Sequence, residues 1–167
     1  MKSSEAKSSA VFKNTDDYRQ IRNNECCKCK SKEDLSLHHV FPKCYIQKRS
    51  DEISETLKVV YRELGLFSYD CEICCLCVDC HHEYEENYTD KIHEKIRYKY
   101  QIDLKDTSYR NQYSNLPKPS EIVMDRINNS DNPVRDYLEL RNFCIGFFME
   151  QMKCTYISKL EDYMINL

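Results

Sequence analysis

The stretch "CEICCLCVDCHHEYEE", Cys71–Glu86, puts five cysteines, two adjacent histidines and a knot of carboxylates into sixteen residues. Cys71, Cys74, Cys77 and Cys80 are each three apart, so three overlapping C-x-x-C pairs can be drawn. The choice among them decides the fold, because a metal knuckle at the end of a strand sets where the next helix begins. Thiolates bind zinc tetrahedrally, and two residues between cysteines let one turn present both sulfurs. A second C-x-x-C is needed, and Cys26–Cys29 is the only one in the N-terminal half. It can pair with 71/74, 74/77 or 77/80. A strand over 72–76 points Cys74 and Leu76 to one face and Ile73 and Cys75 to the other. The knuckle then follows the strand and leads directly into a helix. This register selects Cys26, Cys29, Cys77 and Cys80 as ligands of a structural Zn2+. Choosing 71/74 leaves Cys77 and Cys80 spare at the most turn-like point. A double-zinc cross-brace drawing also on His39, Cys44, Cys71 and Cys74 is disfavoured, because only two residues separate Cys74 from Cys77.

The rest of the composition sets the context. No run of 18 apolar residues occurs, so no membrane span is expected. The start, "MKSSEAKSSAVFKN", has no apolar h-region, and no secretory signal is expected. Eleven cysteines without such a signal predict an intracellular, reducing compartment, cytoplasm or nucleus. There C-x-x-C pairs bind metal more often than they form disulfides. Cys44, Cys144 and Cys154 are isolated and read as core residues. Two glycines and four prolines argue against glycine-rich phosphate loops and doubly wound sheets, and Ser, Asn and Asp must supply the turns. No Ser/His/Asp triad or Walker motif is visible.

Periodicity organises the chain as follows. Residues 1–14 read as a disordered lead. "TDDYRQIRNNE" (15–25) reads as a short helix capped by Thr15. Residues 26–34 form a knuckle-like turn, and "LSLHHVF" (35–41) is a strand stopped by Pro42. Ile53, Leu57, Val60, Tyr61 and Leu64 recur at helical spacing before Gly65, so a helix is predicted as an insertion over about 51–65. A second strand falls within 69–77 and a helix from Cys80. Tyr84, Tyr88, Ile92, Ile96 and Tyr100 step by four, and Asn87–Asp90 leaves open whether this is one helix or two. "LPKPS" (116–120) is a linker, with helices starting at Ser120 and at Asn132–Pro133. The last helix carries Val134, Tyr137, Leu138, Ile145, Phe148, Met152 and Tyr156 on one apolar stripe, for core packing or for a partner. The expected domains are a zinc domain over 15–110 and a helical C-terminal extension over 117–167. The oligomeric state is not specified.

Four of the five histidines stand in two pairs, His38–His39 and His81–His82. His81 and Glu85 are i and i+4 and share a helix face. They turn inward with Tyr84, Tyr88 and Ile92. A buried charge is costly when unpaired, so this pair needs a metal or a satisfied structural contact. The order C-x-x-C (26–29), "LHHVFP" (37–42), strand, then C-x-x-C-H-x-x-x-E (77–85) resembles the HNH, or His-Me finger, nucleases of the zinc-knuckle type. The resemblance covers residues 26–88, about a third of the chain.

That resemblance implies an α+β fold: a small zinc-stapled ββα-metal domain, treble-clef-like, with helical insertion and helical extension. It implies His39 as the general base taking a proton from water. It also implies that His38, His81 and the residue at 85 hold one divalent metal, which binds the scissile phosphate and stabilises the leaving 3′-oxygen. Two positions depart from the family pattern. Glu85 stands where the family has His, and Glu72 where it has a central Asn. A carboxylate at 72 can accept a hydrogen bond from His39 Nδ1 and fix its tautomer, or it marks a decayed site. An ideal strand sends His38 and His39 to opposite faces, so the motif requires the chain to leave regular β geometry near Pro42. His82 and His93 are expected at the surface.

The expected function is therefore a metal-dependent HNH endonuclease, a hydrolase of phosphodiester bonds in nucleic acid, with DNA the expected form. Two imidazoles and a carboxylate favour Mg2+ or Mn2+ as the catalytic ion. The net charge of −3 does not advertise nucleic-acid binding, but its distribution is uneven. Residues 26–50 carry six Lys/Arg against two acids, and 51–90 two against eleven. Residues 91–110 carry six against three. Lys43, Lys48, Arg49, Lys95, Arg97 and Lys99 are the expected phosphate contacts. The alternative is a non-catalytic zinc-binding module for nucleic-acid or protein interaction.

Overall fold

The structure is a computed structural model that describes residues 24–46, 53, 55, 58–59, 72–102, 117–156 and 158. Most of the helix expected over 15–25, most of the insertion at 51–65, Lys48, Arg49 and Cys71 lie outside them, and Asn24 and Glu25, at the end of that expected helix, are not helical.

The fold is α+β, with a two-stranded sheet and five helices among the described residues. Strand β1 (Leu35–His39) pairs antiparallel with β2 (Ile73–Cys77), placing Leu35 opposite Cys77, His38 opposite Cys74 and His39 opposite Ile73. The short helix α1 (Lys43–Ile46) follows β1, and Ile53, Glu55, Lys58 and Val59 are helical within the segment expected as the insertion. Every residue of β2 is buried. "ICCLC" is a continuous run of small and branched apolar side chains, which is what a strand covered on both faces requires.

Cys77 ends the strand and starts the helix. Its backbone is extended (φ −65°, ψ 159°), so it completes β2, and its sulfur accepts from Cys80 N–H as the N-cap of α2 (Val78–Asn87). The strand lies within the expected 69–77, and the helix begins two residues earlier than the spacing predicts. Tyr88 (φ −126°, ψ −20°) closes α2 and opens α3 (Thr89–Lys99), so the four-residue stripe is carried by two helices. Tyr84, Ile92 and Ile96 are its buried members.

Helix α4 (Pro119–Asn128) opens with Pro119 at its first turn, and Glu121 accepts from Lys118 N–H at 3.2 Å. Helix α5 (Pro133–Met152) is capped by Asn132, which accepts from Arg135 N–H at 3.1 Å. It ends at Lys153 in the left-handed region (φ 52°). Nine of its side chains are buried, more than one stripe can supply, so α5 packs on several sides at once. Tyr137, Leu138, Ile145, Phe148 and Met152, with Tyr156 beyond the helix, join Leu35, Cys74, Leu76 and Tyr84 in one buried cluster. The apolar stripe expected for core or partner is core. Cys144 is buried in it, and Cys44 and Cys154 pack against it.

A charged clamp crosses that core. Arg141 and Glu72, both essentially without solvent exposure, pair at 2.8 Å. Tyr156 O–H and Ser158 O–H donate to the same carboxylate at 2.5 and 2.6 Å. The clamp fastens α5 and the segment after it to the residue that enters β2.

Candidate functional site

Two clusters flank the sheet and α2. At one end, the sulfurs of Cys26, Cys29, Cys77 and Cys80 all lie within 4.8 Å of one another and can hold a metal ion. The Cys29 and Cys77 sulfurs are 3.7 Å apart, and the edge of a tetrahedron with ~2.3 Å zinc–sulfur bonds is about 3.8 Å. Local turns make this geometry. The 26–29 knuckle closes with Lys30 N–H on Cys26 C=O at 3.0 Å, and Lys30 is left-handed at φ 67°. Cys29 N–H and Cys80 N–H point at the sulfurs of Cys26 and Cys77, at 3.5 and 3.4 Å. Cys27 N–H to Cys75 C=O at 2.8 Å docks the knuckle on β2. Lys28 adds an ion pair with Glu83 of α2 at 2.7 Å. Burial raises the Cys26 thiol, but hydrogen bonds from Cys29, Cys77 and Lys28 more than offset it and bring it to about 7. Burial pushes Cys77 and Cys80 up. Four sulfurs so close do not all ionise without a cation among them. Cys74 stays outside the cluster, fully buried and bonded to Cys27, as the 77/80 register predicts.

Beside the cluster, along α2 from His81 onward, is a cleft of about 530 Å³ lined by His38, His39, Lys43, His81, Glu85 and His93 among others. Strand β1 delivers the first two, α1 Lys43, α2 the next two and α3 His93. His38 and His39 both reach it although both belong to β1. His38 enters from the buried side, and His39, the last strand residue, stands half-buried before the bend at Val40–Phe41. His81 bonds Ser36 Oγ through Nδ1 at 2.8 Å, and its Nε2 lies 3.2 Å from Glu85 Oε1. His38 stands edge-on to His81, centroids 5.0 Å apart, between Tyr84 and Phe148. Its Nε2 is buried with no hydrogen-bond partner.

Burial pulls every one of these imidazoles toward neutrality. His38 is driven down to about 3, with His81 and His39 adding to the effect. His39 is lowered by burial, then by Lys43 and His81. His81 is lowered by burial against the opposing carboxylate of Glu85. His93 is lowered by burial and Arg97. Neutral imidazoles are what metal ligation and proton abstraction require.

The expected site residues are not all brought together. His38, His39, His81 and Glu85 share the cleft, but His38, His81 and Glu85 do not gather to the closeness of the four cysteines, the one such set among the described residues. His81 Nε2 and Glu85 Oε1 meet at 3.2 Å as an i, i+4 ion pair, and Glu85 is exposed rather than turned inward with Tyr84. His38 is held back by its aromatic pocket. Glu72, expected to orient His39, has Arg141, Tyr156 and Ser158 as its carboxylate partners, and only its backbone C=O reaches that region, accepting from Val40 N–H at 2.8 Å.

Of the expected phosphate contacts, Lys43 is at the cleft and Lys95 and Lys99 are exposed on α3. Arg97 is buried, lining a separate cavity with Tyr45 and Lys118. His82 is exposed and pairs with Glu86 at 2.9 Å, as expected. His93 is not a surface residue: it lines the cleft and bonds Tyr45 O–H through Nδ1 at 3.0 Å. Its position one residue past buried Ile92, on the flank of that stripe, is the sequence signal that points to it.

A scan of protein-family models, a search of curated proteins and a search of solved structures each return no match to this chain.

Proposed function

We propose that this chain is a metal-dependent endonuclease of HNH type, hydrolysing phosphodiester bonds in nucleic acid, with DNA the expected substrate. The observation that supports it best is the cleft: His39, His81 and Glu85 side by side, every imidazole biased toward neutrality, with Lys43 at the wall. Cys26, Cys29, Cys77 and Cys80 would hold a structural Zn2+ that pins the 26–29 knuckle to the start of α2. His81 and Glu85 would hold Mg2+ or Mn2+, which supplies Lewis-acid charge to a phosphate oxygen.

The chain's own residues account for the rest. His39 accepts a proton from a water at the cleft rim, and its neutral form is the competent one. Ser36 fixes the tautomer and rotation of His81 through Nδ1. His38 packs against the His81 ring and limits its swing. Lys43 offers positive charge to the phosphate. Glu72 has no part in the chemistry and holds β2 to α5.

A specific observation favours the non-catalytic zinc module as second reading. Two residues of the nuclease motif, His38 and Glu72, are committed to the core. Zinc-loaded protein, freed of other divalent ions, separates the readings when offered supercoiled plasmid. The nuclease reading expects nicking on addition of Mn2+ or Mg2+, and its loss in Glu85→Ala with zinc content unchanged. Plasmid left intact under all metals supports the module.

A further inference from the structure

The flank of α3 turned away from the cleft carries a second feature. Lys91, Lys95 and Lys99 stand at i, i+4 and i+8, one helix face, each about 6 Å further along the axis. With Glu94, Tyr98 and Phe143 of α5 they line an open groove of about 760 Å³. Tyr98 is 87% exposed, well beyond the other exposed large apolar side chains among the described residues, Val59 and Val78 at 46% and 51%. A ring so placed is open to stacking by a flat partner. The lysines form no ion pair with a described carboxylate. Lys91 Nζ lies 5.7 Å from the Tyr88 centroid, and Lys99 Nζ lies 5.8 Å from that of Phe143. The groove thus offers three ammonium groups in a row beside two aromatic faces.

We infer that this groove binds single-stranded nucleic acid, with phosphates on Lys91, Lys95 and Lys99 and a base stacked on Tyr98 or Phe143. Charge complementarity selects an anionic partner, and the exposed ring selects one that presents flat faces. A duplex hides its base faces, whereas a single strand offers one at each nucleotide. An acidic peptide meets the lysines but leaves Tyr98 uncovered. The inference deepens the nuclease reading, on which it rests for the nature of the ligand, by naming the strandedness of the substrate. It also revises the expected contacts: Lys91 joins Lys95 and Lys99, and Arg97, buried on the other flank of α3, does not take part.

Fluorescence anisotropy of labelled oligothymidylate, of the same length of duplex, and of poly-glutamate tests it, using the zinc-loaded 167-residue chain without other divalent ions. Wild type should bind oligothymidylate more tightly than duplex. Tyr98→Ala should weaken it by roughly 5- to 100-fold, the range of one base–aromatic stack. Lys95→Ala should lower the slope of log affinity against log salt by about 0.7. Both positions are exposed, and an unchanged thermal midpoint shows that folding is intact. Unaltered affinity in Tyr98→Ala, or poly-glutamate bound as tightly as oligothymidylate, overturns the groove. Plasmid cleavage is read separately: cleavage with an unaltered Tyr98→Ala affinity rejects the groove and keeps the nuclease, and the expected losses without cleavage do the reverse.

Discussion

Replacing Glu72 with leucine separates its two assigned roles, a residue that orients a catalytic histidine and one that holds the core together. The carboxylate is fully buried, pairs with buried Arg141 at 2.8 Å and accepts from Tyr156 and Ser158. Leucine removes all of these contacts and leaves the guanidinium charge in the core without this counter-charge. Breaking a buried pair from one side costs about 3–5 kcal/mol. Whole domains are stable by roughly 5–15 kcal/mol, so the variant loses a fifth or more of that reserve. For a chain of this size the thermal midpoint falls by roughly 6–20 °C. Urea titration followed by circular dichroism, at saturating zinc and neutral pH, reads the loss as a lower midpoint with an unchanged slope. Glu72→Leu with Arg141→Met removes both charges and should recover most of the stability, because a buried pair replaced by apolar groups is often neutral. A single variant within about 1 kcal/mol of wild type, or a double variant no better than the single, would refute the clamp. Lost cleavage at intact stability would return Glu72 to the active site.

Three further outcomes follow from the same geometry. Cys77→Ser should lose the tightly bound metal and unfold the knuckle, since structural zinc contributes on the order of 10 kcal/mol, whereas Cys74→Ser keeps it; metal analysis by mass spectrometry reads both. His38, ordinarily near 6.5 and held near 3 by burial, remains neutral in the fold while the unfolded chain takes up a proton as pH falls below ~6.5. Its contribution is therefore fully present above that pH and is lost toward pH 3, at up to ~1.4 kcal/mol per pH unit. His38→Phe, which suits the pocket of Tyr84 and Phe148, should flatten the wild-type decline in urea midpoint between pH 6.5 and 5; equal declines would contradict it. Excess zinc should inhibit Mn2+-supported cleavage, and Glu85→His should shift the preference toward zinc or nickel, as read by metal titration of plasmid nicking.

The four-cysteine cluster was legible because its constraints are local. C-x-x-C spacing and strand alternation choose Cys77 and Cys80 over Cys71 and Cys74, and the same logic places α2 directly after β2. The helix starts near Ser120 and Asn132–Pro133 were legible for the same reason, since caps and prolines act within a turn. The role of Glu72 was not. Its partners lie 69, 84 and 86 residues away, and nothing in a single sequence pairs a carboxylate with a distant arginine. His38 is similar: the pairing of two histidines suggests joint ligation, while the aromatic pocket that claims one of them is assembled from α2 and α5. His93, a lone histidine, carries no pairing signal in the sequence, and only its place beside buried Ile92 points to partial burial. The lysine groove was half legible. The basic run at 91–99 stands out, but only the helix in place shows that Arg97 turns inward and Lys91 outward.

The measurement that bears most directly on the central claim is cleavage of supercoiled plasmid by zinc-loaded His39→Ala protein in Mn2+, beside wild type. His39 is half-buried at the cleft rim and outside both the cysteine cluster and the Glu72 clamp, so its loss should leave zinc content, thermal midpoint and oligothymidylate affinity nearly unchanged. General-base catalysis contributes roughly 100- to 10,000-fold. The account predicts wild-type nicking and a fall of that size in the variant. Wild-type protein that does not cleave, or a variant that cleaves at the wild-type rate, would contradict it.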